Sequence, residues 1–238
     1  MAQLDFSWQT FRPEEGFYTS EVQAAGPLPI RTFAPVGYEP RYAYPLIVFL
    51  HGHGGNEEQI LRLAPRVSRR NFVALGLRGP ICLGPNRKGA LEYSWGDATD
   101  LPKNEDYLLE AIRQIRLHYH IHSERIYLAG FAEGATLAYR LGLTFPERLG
   151  GVIALNGAMP RENRPLLRLP ELRALNVFIG HGIANSVVPI SLARQDERLL
   201  WSAGLDVQMK TYPTTHRMHK DMLRDMNRWI ITRCQAEG

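Results

Sequence analysis

One decapeptide constrains the fold of this 238-residue chain more than any other stretch: Tyr127-Leu128-Ala129-Gly130-Phe131-Ala132-Glu133-Gly134-Ala135-Thr136. It reads as an apolar strand that ends in a glycine-flanked turn and runs straight into a helix. Glycine on both sides lets the backbone turn sharply enough to lift the central residue above the sheet edge, at the N-terminus of the helix that follows. That central residue is Ala132. A methyl group has no lone pair to attack a carbonyl carbon and no proton for a base to remove, so covalent catalysis from this position is excluded.

The rest of the chain predicts a sheet around this turn. Residues 45–50 form a continuous apolar run of the kind buried on both faces of a parallel sheet, and 72–77, 126–129, 151–155, 176–180 and 207–212 read as further strands. Helices are expected over 57–70 with Asn56 as its cap, from about 104 to 119, over 133–145 closed by Pro146, over 189–203, and from 220 onward. Two short β-rich stretches, 17–22 and 30–33, are separated by Ala25-Gly26-Pro27 and predict an antiparallel pair at a sheet edge. Residues 1 to about 15 are expected to form a loosely docked arm. Residues 82–103, rich in Gly, Pro and polar side chains, are expected to form a long loop, and 156–173 a mostly irregular segment. Buried strands alternating with helices imply right-handed crossovers, hence an α/β fold with a mostly parallel central sheet and helices on both faces. A chain of this length suits one such domain over 1–238. Ligands of such sheets bind at the carboxyl ends of the strands.

Composition removes several classes of function. A hydrophobic content of 45% with 22% charged residues disfavours disorder and coiled coil. The 28 basic and 24 acidic residues give a net charge of +4 without any Lys/Arg run, so no nucleic-acid partner is expected. Met1-Ala2-Gln3-Leu4-Asp5 lacks a basic region followed by an apolar stretch, and the longest apolar run falls far short of a membrane span. Cys82 and Cys234 have neither zinc-site spacing nor the density of a disulfide scaffold, which suits a reducing compartment; a cytoplasmic location is the expectation. Nothing in the pattern speaks to oligomeric state.

Five pieces at the predicted strand ends resemble the phospholipase/carboxylesterase family of α/β-hydrolases, which includes the acyl-protein thioesterases. They are Phe49-Leu50-His51-Gly52-His53-Gly54-Gly55-Asn56, Ser94-Trp95, Ile126-Tyr127-Leu128-Ala129-Gly130-Phe131, His181-Gly182-Ile183-Ala184-Asn185-Ser186-Val187-Val188-Pro189, and residues 212–216. The resemblance covers most of the chain, from residue 45 to residue 229. It implies an α/β-hydrolase fold and a Ser-Asp-His triad at the positions that here carry Ala132, Asn185 and His216. It also implies an oxyanion hole built from the backbone N–H groups of His53 and Glu133, the latter at a helix N-terminus. Further departures from the family pattern lie on the same site: Glu133 stands for Gln, while Ala135 and Thr215 stand for Gly. The resemblance implies a small-molecule ester or carboxylate-like ligand, and neither a cofactor nor a metal is called for.

Magnitudes rank these departures. An acid-to-amide change costs about 10⁴ in turnover in a serine protease, by favouring the wrong histidine tautomer, yet Asn serves that position in Cys-His-Asn enzymes. Losing the nucleophile costs about 10⁶ in subtilisin, leaving roughly 10³ to 10⁴ over water. Family-type turnover is therefore not expected. Three readings remain: a pseudo-esterase with a binding or regulatory role, a hydrolase whose natural form carries Ser at position 132, and a hydrolase in which His216 activates water directly.

Other residues carry weaker signals. Ser94, Ser186, Thr214 and Thr215 bring hydroxyls near the site but sit on no elbow, and the alternative acid position reads Asn156-Gly157-Ala158, with Glu162 the nearest carboxylate. His118, His120 and His122 would face a metal together only on a strand; at a helix-to-strand junction they read as solvated loop residues. His51 and His181 read as structural, Glu133 as a first-turn partner of the helix dipole, with weakened anion binding as the sharper alternative if its carboxylate points inward, Cys82 as inert and partly buried, with a reactive thiol as the alternative, and Asp97 as a water-activating base only if a partner appears. Arg161, Arg164, Arg168 and Arg173 read as a solvated basic face, with selection of acidic ligands as the sharper alternative.

Overall fold

The structure, a computed structural model, describes residues 7–24, 26–161 and 175–236. Its strands are β1 (Gly16–Gln23), β2 (Pro27–Ala34), β3 (Tyr44–Leu50), β4 (Val73–Leu77), β5 (Ile81–Pro85), β6 (Leu91–Ser94), β7 (Ile121–Phe131), β8 (Gly151–Leu155), β9 (Asn176–Gly182) and β10 (Asp206–Tyr212). The described helices are α1 (Glu57–Leu61), α2 (Ala64–Val67), α3 (Leu101–His118), α4 (Glu133–Thr144), α5 (Ile190–Ser202) and α6 (Lys220–Ala236). Eight strands make one sheet in the order β1-β2-β4-β3-β7-β8-β9-β10. From β4 to β10 every neighbouring pair is parallel, while β1 and β2 pair antiparallel at one edge, as their turn chemistry predicts.

Packing in the central strand alternates between the two faces of the sheet. All seven residues of β3 are buried; Leu46, Val48 and Leu50 pack on one face with Leu108 and Ile112 of α3, Leu137 and Leu141 of α4 and Leu200 of α5. Ile47 and Phe49 pack on the other face with Ile60 and Leu61 of α1, Val67 of α2 and Met226, Trp229 and Ile230 of α6. A side chain that alternates faces and finds an apolar layer on each is what makes a strand read as an unbroken hydrophobic run.

Five expectations need correction. The helix over 57–70 is broken into α1 and α2, because Pro65 has no N–H to continue the ladder and opens the second turn instead. Residues 82–103 are not a long loop: β5 and β6 form an antiparallel hairpin. Its turn is closed by Asn86, whose Oδ1 accepts the N–H groups of Lys88 and Ala90 at 2.9 and 3.1 Å. Helix α3 begins at Leu101, and β7 extends well before the elbow. Residues 7–15 are docked rather than loose: Trp8 stacks on His120 at 4.2 Å between ring centroids, Phe11 meets Tyr119 edge-on at 5.4 Å, and Glu15 pairs with Arg69. Of the irregular segment, 162–174 lies outside the described residues, and with it Glu162, Arg164, Arg168 and Arg173.

Candidate active site

The turn after β7 has the shape its glycines predict. Ala132 sits at φ 53°, ψ −114°, a region that L-residues rarely occupy and that typically costs ~1–3 kcal/mol. A Cβ at Gly130 would lie 2.1 Å from Gly134 O, and one at Gly134 would lie 2.2 Å from Leu50 O, so the packing of α4 against β7 and β3 admits no side chain at either position. The strained residue is held by its own backbone bonds, N–H to Leu155 O at 3.0 Å and C=O from Ala135 N–H at 3.1 Å.

Across the elbow, the segment after β3 is stitched to the hairpin strand β6. Gly54 N–H donates to Tyr93 O, Tyr93 N–H to Gly55 O, and Trp95 Nε1–H to His51 O. His51 is structural, as expected: Gly79 N–H donates to its Nε2 at 2.8 Å, which forces the proton onto Nδ1, and Nδ1–H donates to Gly52 O. Burial pushes its pKa down. A Cβ on Gly52 would stand 3.3 Å from Ala132 Cβ, so this loop lies directly against the elbow. Among the described hydrogen bonds none engages the N–H of His53 or of Glu133, the two donors that the family resemblance assigns to the oxyanion hole.

His216 follows β10 and Asn185 follows β9, and the structure brings them together: His216 Nδ1 lies 3.1 Å from Asn185 Oδ1. That oxygen also accepts the N–H groups of Val187 and Val188 at 3.1 and 3.0 Å. Burial lowers the pKa of His216, with His181 contributing in the same direction. Behind them sits Asn156, a fully buried residue at φ 52° that sequence reasoning treated only as a missing acid. Its Oδ1 accepts Gly182 N–H at 2.8 Å and faces Asn185 Nδ2 at 3.3 Å, while its Nδ2 donates to Arg217 O. One amide thus ties both loops together, and its left-handed backbone is the conformation that Asn tolerates better than most residues.

Ala132, His53, Glu133 and His216 line a single cavity of about 470 Å³ with Gly52, Phe131, Thr136, Ala158, Val187, Val188 and Leu192. Asn185 stands behind His216 and is buried. Thr136, one helical turn beyond Ala132, was missed by the sequence reading; its hydroxyl donates to Ala158 O at 2.9 Å. Ser94, Ser186, Thr214 and Thr215 are not among the lining residues. Ser94 is buried and donates to Glu133 Oε1 at 2.6 Å. Glu133 is therefore more than a first-turn dipole partner: its side chain reaches toward the oxyanion loop, with Oε1 3.7 Å from His53 Nδ1.

The remaining candidates do not join this group. Asp97 caps the turn at Ala98–Asp100 through Thr99, whose hydroxyl and N–H hold its carboxyl below the usual range, and it is exposed. Cys82 is exposed on β5 rather than partly buried. His181 Nε2–H donates to Val188 O, a structural role. His118, His120 and His122 each bond to nearby backbone, His118 to Gln114 O, His120 to Pro40 O and His122 from Glu124 N–H. Among the described residues no three His, Cys, Asp or Glu side chains group to hold a metal. Arg161 pairs with buried Asp196 at 2.9 Å, fixing the start of the segment beyond Ala158 to α5.

A mostly parallel eight-stranded sheet with an elbow after its central strand and loops converging at the carboxyl ends is an α/β-hydrolase architecture. Solved structures agree: a carboxylesterase of Bacillus cereus superposes with a TM-score of 0.66 at 20% identity, over 92% of this chain and 94% of that one. SOBER1 of Arabidopsis thaliana gives 0.65 at 19% identity, over 81% and 100%. The sequence profile of the Phospholipase/Carboxylesterase family matches residues 37–233, and the chain belongs to that family. An acyl-protein thioesterase 1 of Mycosarcoma maydis is 30% identical over 76% of this chain and 87% of its own length. A probable carboxylesterase of Oryza sativa subsp. japonica is 28% identical over 62% of this chain, and the match spans 61% of the rice protein. No helix among the described residues is long and apolar enough to cross a membrane.

Proposed function

We propose that this chain is a pseudo-esterase: a family member that binds a small acyl compound, ester-like or carboxylate-like, without acylating itself. Its triad positions are Ala132, Asn185 and His216, with the N–H groups of His53 and Glu133 as the oxyanion donors. The single observation that carries this reading is Ala132 in the strained elbow conformation, a methyl group in the lining of a formed cavity. The backbone donors need no side chain, so they outlast the loss of the nucleophile. The family membership supports an acyl ligand, and two cysteines that form no disulfide accord with a cytoplasmic setting.

Hydrolysis of short-chain p-nitrophenyl esters tests it. The protein itself should give no turnover above background, and Ala132→Ser should give measurable turnover that His216→Ala removes. Turnover by the unsubstituted protein that is itself lost in His216→Ala would replace this reading with the second one, water activation. One observation favours that alternative: a His216 whose Nδ1–H is committed to Asn185 keeps its Nε2 lone pair for a proton.

A further inference from the structure

Relative to the family pattern, the cavity has exchanged charges. The carboxylate expected behind His216 is the neutral Asn185, and a carboxylate has appeared at Glu133, where the family carries an amide. We propose that Glu133 narrows the ligand to the ester-like side of the binding role proposed above, on which this rests: the cavity selects uncharged acyl compounds, esters and amides, and rejects free carboxylates.

The geometry carries the selection. Glu133 is one of the residues that line the cavity. Its Oε1 accepts from Ser94 at 2.6 Å, which fixes the carboxylate toward the oxyanion loop instead of out along the helix axis. Its Oε2 is buried and finds no donor among the described residues, so the negative charge is under-compensated where it stands. The basic side chain beside it is His53, 3.7 Å away and largely exposed to solvent. No Lys or Arg is among the described lining residues, and Arg161 is taken up by Asp196. Burial keeps His216 neutral near pH 7 and above, so it offers an incoming anion no charge.

A cavity of about 470 Å³ is roughly 10 Å across if compact, so a ligand carboxylate cannot escape the field of the Glu133 carboxylate. Two unit charges at an effective dielectric of about 20 repel by about 1.4 kcal/mol, a factor of ten in affinity, even at about 12 Å. In a low-salt buffer, where such charges are little screened, tenfold or more is therefore the discrimination expected between isosteres that differ only by that charge. The oxyanion N–H groups still suit a neutral carbonyl, whose oxygen accepts without bringing a full charge. On a Glu133-bearing cradle the uncleaved acyl compound is held and the corresponding free acid is turned away.

Binding of hexanamide and of hexanoate, followed by chemical-shift titration at pH 7.5 in a low-salt buffer, tests the selection. The protein should bind hexanamide at least tenfold more tightly than hexanoate. In Glu133→Gln the two should fall within about threefold, through a gain for hexanoate with hexanamide little changed. Equal affinities in the unsubstituted protein, or a preference that survives in Glu133→Gln, would overturn the proposal. Shifts that map away from Ala132 and His216 would overturn it too. Failure of both compounds to bind either protein would instead remove the binding role itself, and the selection with it.

Discussion

Asn185 presents its carbonyl oxygen, not its amide nitrogen, to His216, and the orientation is forced. The oxygen at that position also receives the N–H groups of Val187 and Val188, which can only donate, so a flipped amide would set these two donors against an NH₂. The imidazole must therefore carry its proton on Nδ1, the tautomer that an aspartate would select. Long-range ¹H–¹⁵N spectra of the His216 ring at pH 7.5 should show protonated Nδ1 and bare Nε2. A dominant Nε2–H tautomer would mean that the amide stands the other way round.

This arrangement changes what restoring the acid would accomplish. In a serine protease the amide costs about 10⁴ because it imposes the wrong tautomer, and here the tautomer is already right. An Asp at 185 would also set an acceptor about where Asn185 Nδ2 now faces Asn156 Oδ1 at 3.3 Å, and Asn156 is locked by Gly182 N–H and Arg217 O. Adding Asn185→Asp to Ala132→Ser should therefore raise kcat/KM for a p-nitrophenyl ester by less than about tenfold, far short of the protease penalty. A gain of a thousandfold would contradict the orientation described.

The elbow stores strain that a substitution can release. Gly at 132 adopts φ 53°, ψ −114° without a Cβ penalty, against ~0.4–1 kcal/mol for the added freedom of the unfolded chain. Ala132→Gly should stabilise the protein by about 1 kcal/mol in urea unfolding. Gly134→Ala should do the reverse, costing more than ~2 kcal/mol, because the new Cβ would stand 2.2 Å from Leu50 O. A destabilised Ala132→Gly would show that the turn is not strained.

Acid should weaken the fold before carboxylates matter. Burial lowers the folded-state pKa of His51, His181 and His216 below the ordinary value of about 6.5. Between that value and the depressed ones the unfolded chain binds more protons than the folded chain, so stability falls as pH falls through this window. Asp196 works the other way: burial raises its pKa, so its contribution is complete only below about pH 4 and fades as pH rises through the raised value. Urea midpoints at pH 7.5, 6.5 and 5.5 should decrease in that order. An increase toward pH 5.5 would contradict the histidine assignments.

Much of this was legible in the sequence because the signals are local. A buried parallel strand such as β3 announces itself as an apolar run, and the cap of α1 by Asn56 reads from adjacent residues, its side chain accepting Gln59 N–H at 2.9 Å. The positions of Ala132, Asn185 and His216 come from motifs at strand ends. What was hidden depends on partners distant in the chain. The β5–β6 hairpin has the composition of a loop, and is held in place by pairing with Gly54 and Gly55 and by Arg78, which pairs with Glu57 and covers the Tyr93 ring at 4.7 Å. Asn156 matters only because Asn185 and Arg217 arrive beside it. The direction of Glu133 is set by Ser94, 39 residues earlier in the chain. A first-turn glutamate has no local reason to point one way or the other.

The proposed pseudo-esterase meets an acyl compound and forms no bond to it. Intact-mass spectrometry of the unsubstituted protein during prolonged exposure to p-nitrophenyl butyrate measures this directly, with Ala132→Ser as the comparison. The unsubstituted chain should keep its mass while Ala132→Ser accumulates a butyryl adduct at residue 132. A butyryl group on the unsubstituted chain, gained during ester turnover and absent in His216→Ala, would show that a nucleophile does operate in this cavity.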